Sequence, residues 1–162
     1  MEDNRENLSV INNSINLLKE IVEESCFDFK IGGPFGAIVI KNGKIVGTGV
    51  NRVIGKHDPT AHAEIEAIRQ ACINLKTHDL TGCEIYATGY PCPMCMSAII
   101  WANIKKVYYS ASYWDAEVIG FRDQHIFDFL QGKNSILEFE QVDKNSIIEL
   151  YERFKNTRGE IY

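Results

Sequence analysis

Along residues 8 to 24 the apolar positions fall three and four apart: Leu8, Ile11, Ile15, Leu18 and Val22. That spacing predicts an amphipathic helix. The pattern then changes period. Gly36-Ala37-Ile38-Val39-Ile40-Lys41, then Asn42-Gly43, then Lys44 to Val50 reads as two apolar runs joined by an Asn-Gly pair. Both turn positions of such a pair take positive φ, so the segment predicts an antiparallel hairpin. Residues 61 to 75 predict a second helix, entered through Asp58-Pro59-Thr60, a proline break with a capping residue. A short strand is expected at 83 to 88, a helix from Pro91 to about residue 103, and a strand at 105 to 111. Residues 123 to 131 predict a helix, 136 to 142 a last strand, and 145 to 156 a last helix with Ile147, Ile148, Leu150, Tyr151 and Phe154 facing inward. The order is α-β-β-α-β-α-β-α-β-α. Strands alternating with helices imply parallel crossovers, and the opening hairpin adds an antiparallel edge. The expected architecture is an α/β fold with a mixed sheet and helices on both faces.

Composition narrows the class. The chain has 162 residues, 45% apolar and 24% charged, which suits one soluble domain, 1–162, with a real core. The net charge of −5 supplies no attraction for a polyanion. Met1 to Asn7 is polar and acidic, unlike a secretory leader, and the apolar stretch from Met94 to Ala102 is too short to span a bilayer. No membrane association is expected. The five cysteines are Cys26, Cys72, Cys83, Cys92 and Cys95, an odd number without a leader. A disulfide framework is therefore not expected, and a reducing cytoplasm is. Cys26, Cys72 and Cys83 read as core residues, and His57, His78 and His125 as surface or loop histidines.

Two short motifs carry chemistry: His62-Ala63-Glu64 at the start of the second helix, and Pro91-Cys92-Pro93-Met94-Cys95 at the start of the third. Each alone is weak or moderate. Together, about 30 residues apart with a strand between, they form the signature of zinc nucleobase deaminases. Zinc takes tetrahedral nitrogen and sulfur ligands, and a catalytic site keeps one position open for water. Cys92 and Cys95 share a helix face. A helix N-terminus favours thiolate over thiol, and prolines there remove N–H groups that lack partners anyway. His62 supplies the third ligand. Glu64, two residues on, is placed to serve as general base and then general acid. A closed structural zinc module, with Cys83 or Glu64 as fourth ligand, is the non-enzymatic alternative.

The sequence resembles the cytidine deaminase superfamily, and within it the purine branch of bacterial-type guanine deaminases and tRNA adenosine deaminases. Gly33-Pro34-Phe35-Gly36-Ala37, Asn51, Asp58-Pro59-Thr60-Ala61-His62-Ala63-Glu64 and Pro91-Cys92-Pro93-Met94-Cys95 carry the resemblance, which runs from about Gly32 to Gly120. It implies a three-layer α/β/α sandwich with a five-stranded mixed sheet, a bound Zn2+ and a homodimer. The stretch from Asn51-Arg52 to Arg69 is similar to the tRNA enzymes. Phe35, Pro93, Asp115 five residues before Gly120-Phe121, and the terminal Tyr162 are similar to guanine deaminases. In that branch Phe35 would stack on the base, Asp115 would contact the purine, and residues 145–162 would be exchanged between subunits so that Tyr162 reaches a partner's pocket. Ala63 and Asn51 complete the expected substrate contacts.

The resemblance thus implies hydrolytic deamination of a purine base, guanine to xanthine and ammonia. Guanine carries its amine between two ring nitrogens; Asn51 could hydrogen-bond the ring and an ionised Asp115 could accept from its N–H groups. A tRNA partner is expected less, because Arg153, Lys155 and Arg158 are interspersed with Glu149, Glu152 and Glu160 rather than forming a phosphate track. Two departures bear on the substrate. Tyr90 precedes Pro91 where these families usually place a glutamate, and Arg122 follows Phe121 where guanine deaminases tend to be acidic. An Arg122 lining the pocket would favour guanosine or another aminated heterocycle, and Asp115 has the alternative reading of a helix cap.

Overall fold

The computed structural model describes residues 2–157 and 159–162; Met1 and Arg158 lie outside the described residues. The chain falls into two compact units, residues 1–123 and 124–162.

The first unit is built on the hairpin the Asn-Gly pair announces. β1 (Gly36–Lys41) and β2 (Lys44–Val50) pair antiparallel, with Asn42 at φ 49° and Gly43 at φ 69° in the turn. The Gly43 N–H donates to Oδ1 of Asn7 at 2.8 Å. Asn7 belongs to helix α1 (Glu2–Glu23) and is buried, whereas Leu8, expected on the inner face, is exposed. The helix thus opens with an amide that anchors the turn. A π-helical turn, Glu24–Asp28, follows α1.

β1 also pairs antiparallel with β3 (Glu84–Gly89), and β3 pairs parallel with β4 (Lys106–Ala111). The sheet is therefore mixed, in the order β2-β1-β3-β4. Successive residues of β1 serve opposite faces. Ala37 and Val39 join Ala63, Ala67, Ala71, Ile85 and Ile99 in one core cluster, with helices α3 (Ala63–Leu75) and α4 (Pro93–Trp101). Ile38 and Ile40 join Ile11, Leu18, Val22 and Tyr86 in the other, under α1. Three layers result, α over β over α, as a strand buried on both faces requires.

α3 lies unusually close to β2. A β-carbon on Gly47 would sit 2.2 Å from the Ala67 carbonyl oxygen, and one on Gly49 would sit 2.1 Å from that of Ala63. Glycines on the strand and alanines four apart on the helix let two backbones touch. Short helices α2 (Val53–Lys56) and α5 (Tyr113–Val118) complete the unit, and neither has enough turns to show a period in sequence.

The second unit contains α6 (Gln124–Leu130) and α7 (Lys144–Thr157). Two expectations are corrected here. The sheet has four strands, not five: among the described residues, 136–142 form no strand. Ile136 and Val142 fall on one parity of that segment, Leu137 and Phe139 on the other, and all four are exposed. With apolar groups on both sides, no single face is specified for burial. The apolar row of α7, expected to face inward, is exposed at Ile147, Ile148, Leu150, Tyr151 and Phe154. Among the described residues no helix is long and apolar enough to cross a membrane.

Candidate active site

Two helix starts meet at one point. His62 is the N-cap residue of α3 and Cys92 that of α4; both are extended there, and neither caps its helix with its side chain. Both side chains are thus free of local duty and point past the helix ends. Pro93 at the first position of α4 fits because an N–H there would lack a helical partner. One turn on, Cys95 is fully buried.

His62 Nδ1 lies 3.6 Å from Sγ of Cys92 and 3.6 Å from Sγ of Cys95. All three ligand atoms fall within 4.8 Å of one another. A tetrahedral zinc with bonds of about 2.3 Å to sulfur and about 2.0 Å to nitrogen separates those atoms by about 3.6 Å. The donor set and its spacing fit zinc. Cys83 packs in the core with Leu80 and Ile85, away from this group, so it supplies no fourth ligand.

The electrostatics follow from the crowding. The hydrogen bond from Cys95, with that of His62, holds the Cys92 thiol down to about 4 against burial. Cys95, beside Cys92, is pushed up for the complementary reason. The bond to Cys92 raises His62 despite its burial, and the charges of Glu64 and Asp123 add to this. Glu64 is raised chiefly by burial. Its Oε2 accepts from Cys95 Sγ at 3.5 Å. A carboxyl that keeps its proton more readily than usual, beside a metal-ligand group, is suited to taking and returning protons.

His62 and Cys92 of this group open onto a cavity of about 520 Å³. Phe35, Asn51, His62, Glu64 and Cys92 line it as the motifs imply. Phe35 sits edge-on to Phe121, ring centroids 4.9 Å apart. Gly33 is tight between these rings: a β-carbon there would come within 2.7 Å of Phe121. Asn51 is buried, and its Oδ1 accepts from the Val53 N–H at 3.2 Å, which orients the amide.

Ala63, Asp115 and Arg122 are not among the residues lining this cavity. Asp115 is exposed, lies outside the cavity lining, and forms a capping box with Ser112 at the start of α5. It is a helix cap; the acid on the cavity wall is Asp123, two residues beyond Phe121. Ala63 is fully buried in the core cluster rather than in the lining. Tyr162 belongs to the second unit and is exposed. Tyr90 lines the cavity, whereas Arg122 is exposed and does not. Cys26, expected in the core, lines the cavity from the π-helical turn, as do Val53 and Ile54 of α2. Periodicity carries no sign of these three, because their elements are a single turn long.

Comparison with known proteins decides the family. Residues 13–111 match the family described as the cytidine and deoxycytidylate deaminase zinc-binding region. The chain belongs to this family. It is a deaminase of the zinc-dependent hydrolytic kind. It is 39% identical over 143 residues to a guanine deaminase of Bacillus subtilis, covering 86% of this chain and 92% of that protein. It is 40% identical over 126 residues to a tRNA-specific adenosine deaminase of Buchnera aphidicola, covering 77% and 82%. The solved structure of guanine deaminase from Bacillus subtilis superposes with a TM-score of 0.81 at 34% identity, covering 91% of this chain and 98% of that one.

Proposed function

We propose that this deaminase acts on a free purine base and converts guanine with water to xanthine and ammonia. The observation that carries the reading is the cavity itself: Phe35, Phe121 and Asp123 line it together with Glu64 and with His62 and Cys92 of the metal-ligand group. His62, Cys92 and Cys95 hold the zinc, which when bound supplies a Lewis acid that lowers the pKa of a water towards ~7. Phe35 takes the face of the base. Asn51, its oxygen engaged by Val53, offers amide N–H groups to the ring. The Asp123 carboxylate accepts from ring N–H groups, the role the resemblance implies for Asp115. Glu64 takes the proton from the attacking water and delivers it to a ring nitrogen. Glu64 then takes the remaining proton from the hydroxyl of the tetrahedral adduct and gives it to the amine, which leaves as ammonia while the carbonyl forms.

The same reading makes the protein a cytoplasmic homodimer. A reducing compartment keeps Cys92 and Cys95 available to the metal. Ile100 and Trp101 on α4 are 70% and 66% exposed, and Tyr109 of β4 is half exposed, an apolar surface suited to a second copy. The exposed row of α7 suits exchange of residues 145–162, which would bring Tyr162 to the partner's cavity. Light scattering on the purified protein tests the dimer.

The test of function is ammonia release by zinc-loaded protein offered guanine, guanosine, adenine, cytosine and an adenosine-bearing tRNA anticodon stem. Release from guanine alone supports the proposal. The identity to a tRNA-specific adenosine deaminase gives the anticodon stem its place; release from it, with guanine inert, overturns guanine as substrate.

A further inference from the structure

His62 is held at the end of a loop, and a set of charged side chains outside the cavity clasps that loop. The loop runs from α2 through Asp58-Pro59-Thr60-Ala61 to His62. Its turn closes on itself: Asp58 Oδ1 accepts from the Thr60 N–H at 2.8 Å and from the Thr60 hydroxyl at 2.7 Å. The His62 N–H donates to the Thr60 carbonyl at 2.7 Å. The position of His62 is thereby tied to the Asp58–Thr60 turn.

That turn is gripped from α3. The Arg69 guanidinium reaches Asp58 Oδ2 at 3.7 Å and Thr60 Oγ1 at 3.4 Å. It also bonds Glu66 Oε1 at 2.9 Å. The other carboxylate oxygen of Glu66 accepts from Lys56 at the end of α2. Glu66 is only 12% exposed, while Arg69 is half exposed. One end of the arrangement is thus rooted in α3, and the other holds the loop that enters it. A planar guanidinium with donors in a fixed fork can bridge two carboxylates and a hydroxyl in one set geometry, whereas a lysine offers a single nitrogen on a flexible stem. Lone exposed ion pairs contribute little to stability, so a clasp of this form matters for where it points rather than for folding energy.

We infer that Arg69 is a positioning residue for the metal site: it clasps the Asp58–Thr60 turn to Glu66 and so fixes His62 relative to Cys92 and Cys95. It touches neither substrate nor metal and acts through the loop. The inference rests on His62 being a zinc ligand.

The experiment compares the full chain with its Arg69→Ala, Arg69→Lys and Asp58→Asn variants. Zinc affinity is measured by competition with a chromogenic chelator, and metal-free thermal unfolding is followed in parallel. kcat and KM for ammonia release are then taken at saturating zinc. Arg69→Ala is expected to weaken zinc binding about tenfold, the lower end of what supporting partners of metal ligands contribute. kcat should fall while KM and the metal-free unfolding midpoint stay near the parent values, and Arg69→Lys should restore part of the affinity. Parental zinc affinity in Arg69→Ala overturns the inference. So does a loss of affinity matched by an equal loss of metal-free stability, which is the mark of a merely structural residue. If Arg69→Ala fails to fold, Asp58→Asn, which deletes one charge and keeps the shape, carries the test; parental affinity there overturns it too. A parent protein that binds no zinc removes the metal reading itself, an outcome distinct from failure of the clasp.

Discussion

The two faces of the sheet are packed by different rules. Under α1 the contacts are made by long aliphatic side chains: Ile11, Leu18 and Val22 against Ile38, Ile40 and Val50. Under α3 they are made by alanines against glycine, with almost nothing between the backbones: Ala63, Ala67 and Ala71 against Gly47 and Gly49. All the candidate metal ligands and Glu64 belong to the second face, at the starts of α3 and α4. Side-chain packing distributes error over many rotatable bonds. Backbone-to-backbone packing leaves less such slack, so it holds a helix start more rigidly. A metal site and a proton shuttle need that rigidity, and a hydrophobic cover does not.

The comparison breaks most sharply at the chemistry. Glu64→Gln keeps the shape of α3 and its close seat on β2 while removing the proton carrier. Turnover should fall by about 10²–10⁴, the usual worth of a general acid–base group, with zinc still bound. Ammonia release beside metal analysis checks this, and an undiminished rate would remove Glu64 from the proposed mechanism.

Leu18→Ala attacks the other face. Leu18 is 2% exposed, and its loss should destabilise the fold by about 2–5 kcal/mol. Zinc affinity of the folded fraction should stay near the parent value. Denaturant unfolding and chelator competition together read both quantities.

Gly49→Ala adds one methyl where the Ala63 carbonyl stands 2.1 Å away. The helix must give way, at a cost of about 1–3 kcal/mol. The affected carbonyl lies one residue from His62, so zinc affinity should drop as well. Equal zinc affinity in Gly49→Ala and Leu18→Ala would show the two faces to be equally tolerant.

The smallest effect concerns pH. Burial pushes the Glu66 carboxyl up, but the bonds from Lys56 and Arg69 outweigh it and hold the carboxyl below its ordinary range. A depressed carboxyl contributes stability above the unfolded value of about 4.3, and the contribution is lost as pH falls through the lower folded value. The difference in melting temperature between the parent and Glu66→Gln should therefore narrow as pH drops below about 4.3. The stability difference behind it should be under about 1 kcal/mol, as for other partly exposed pairs.

Much of this was legible in the chain. Asn42-Gly43 specified a turn that only positive φ satisfies, and the hairpin followed. The periods of α1 and α3 and the alternation of β1 placed the layers. His62, Cys92 and Cys95 were readable because their donor types and spacing are those of a zinc site, and Glu64 because it follows His62 by two positions in the same motif. Three kinds of feature were not legible. Single-turn elements, α2 and the π-helical turn, have no period, yet Val53, Ile54 and Cys26 line the cavity from them. The segment 136–142 looked like a strand because it is apolar and short, but its apolar groups fall on both parities. Asp115 and Asp123 are chemically identical and sit eight residues apart on either side of Gly120-Phe121.

What the sequence by itself determined is the set of local commitments: where the chain turns, which period each long element keeps, and which side chains can bind a metal or carry a proton. What only the tertiary structure decided is convergence. That His62 and Cys92, thirty positions apart, become the caps of two helices meeting 3.6 Å apart at their ligand atoms depends on glycines and alanines that let α3 touch β2. That Asp123 faces the cavity while Asp115 caps a helix depends on how the chain bends after α5. Distances between remote residues are set by packing, and packing is a property of the whole chain that no short window of it contains.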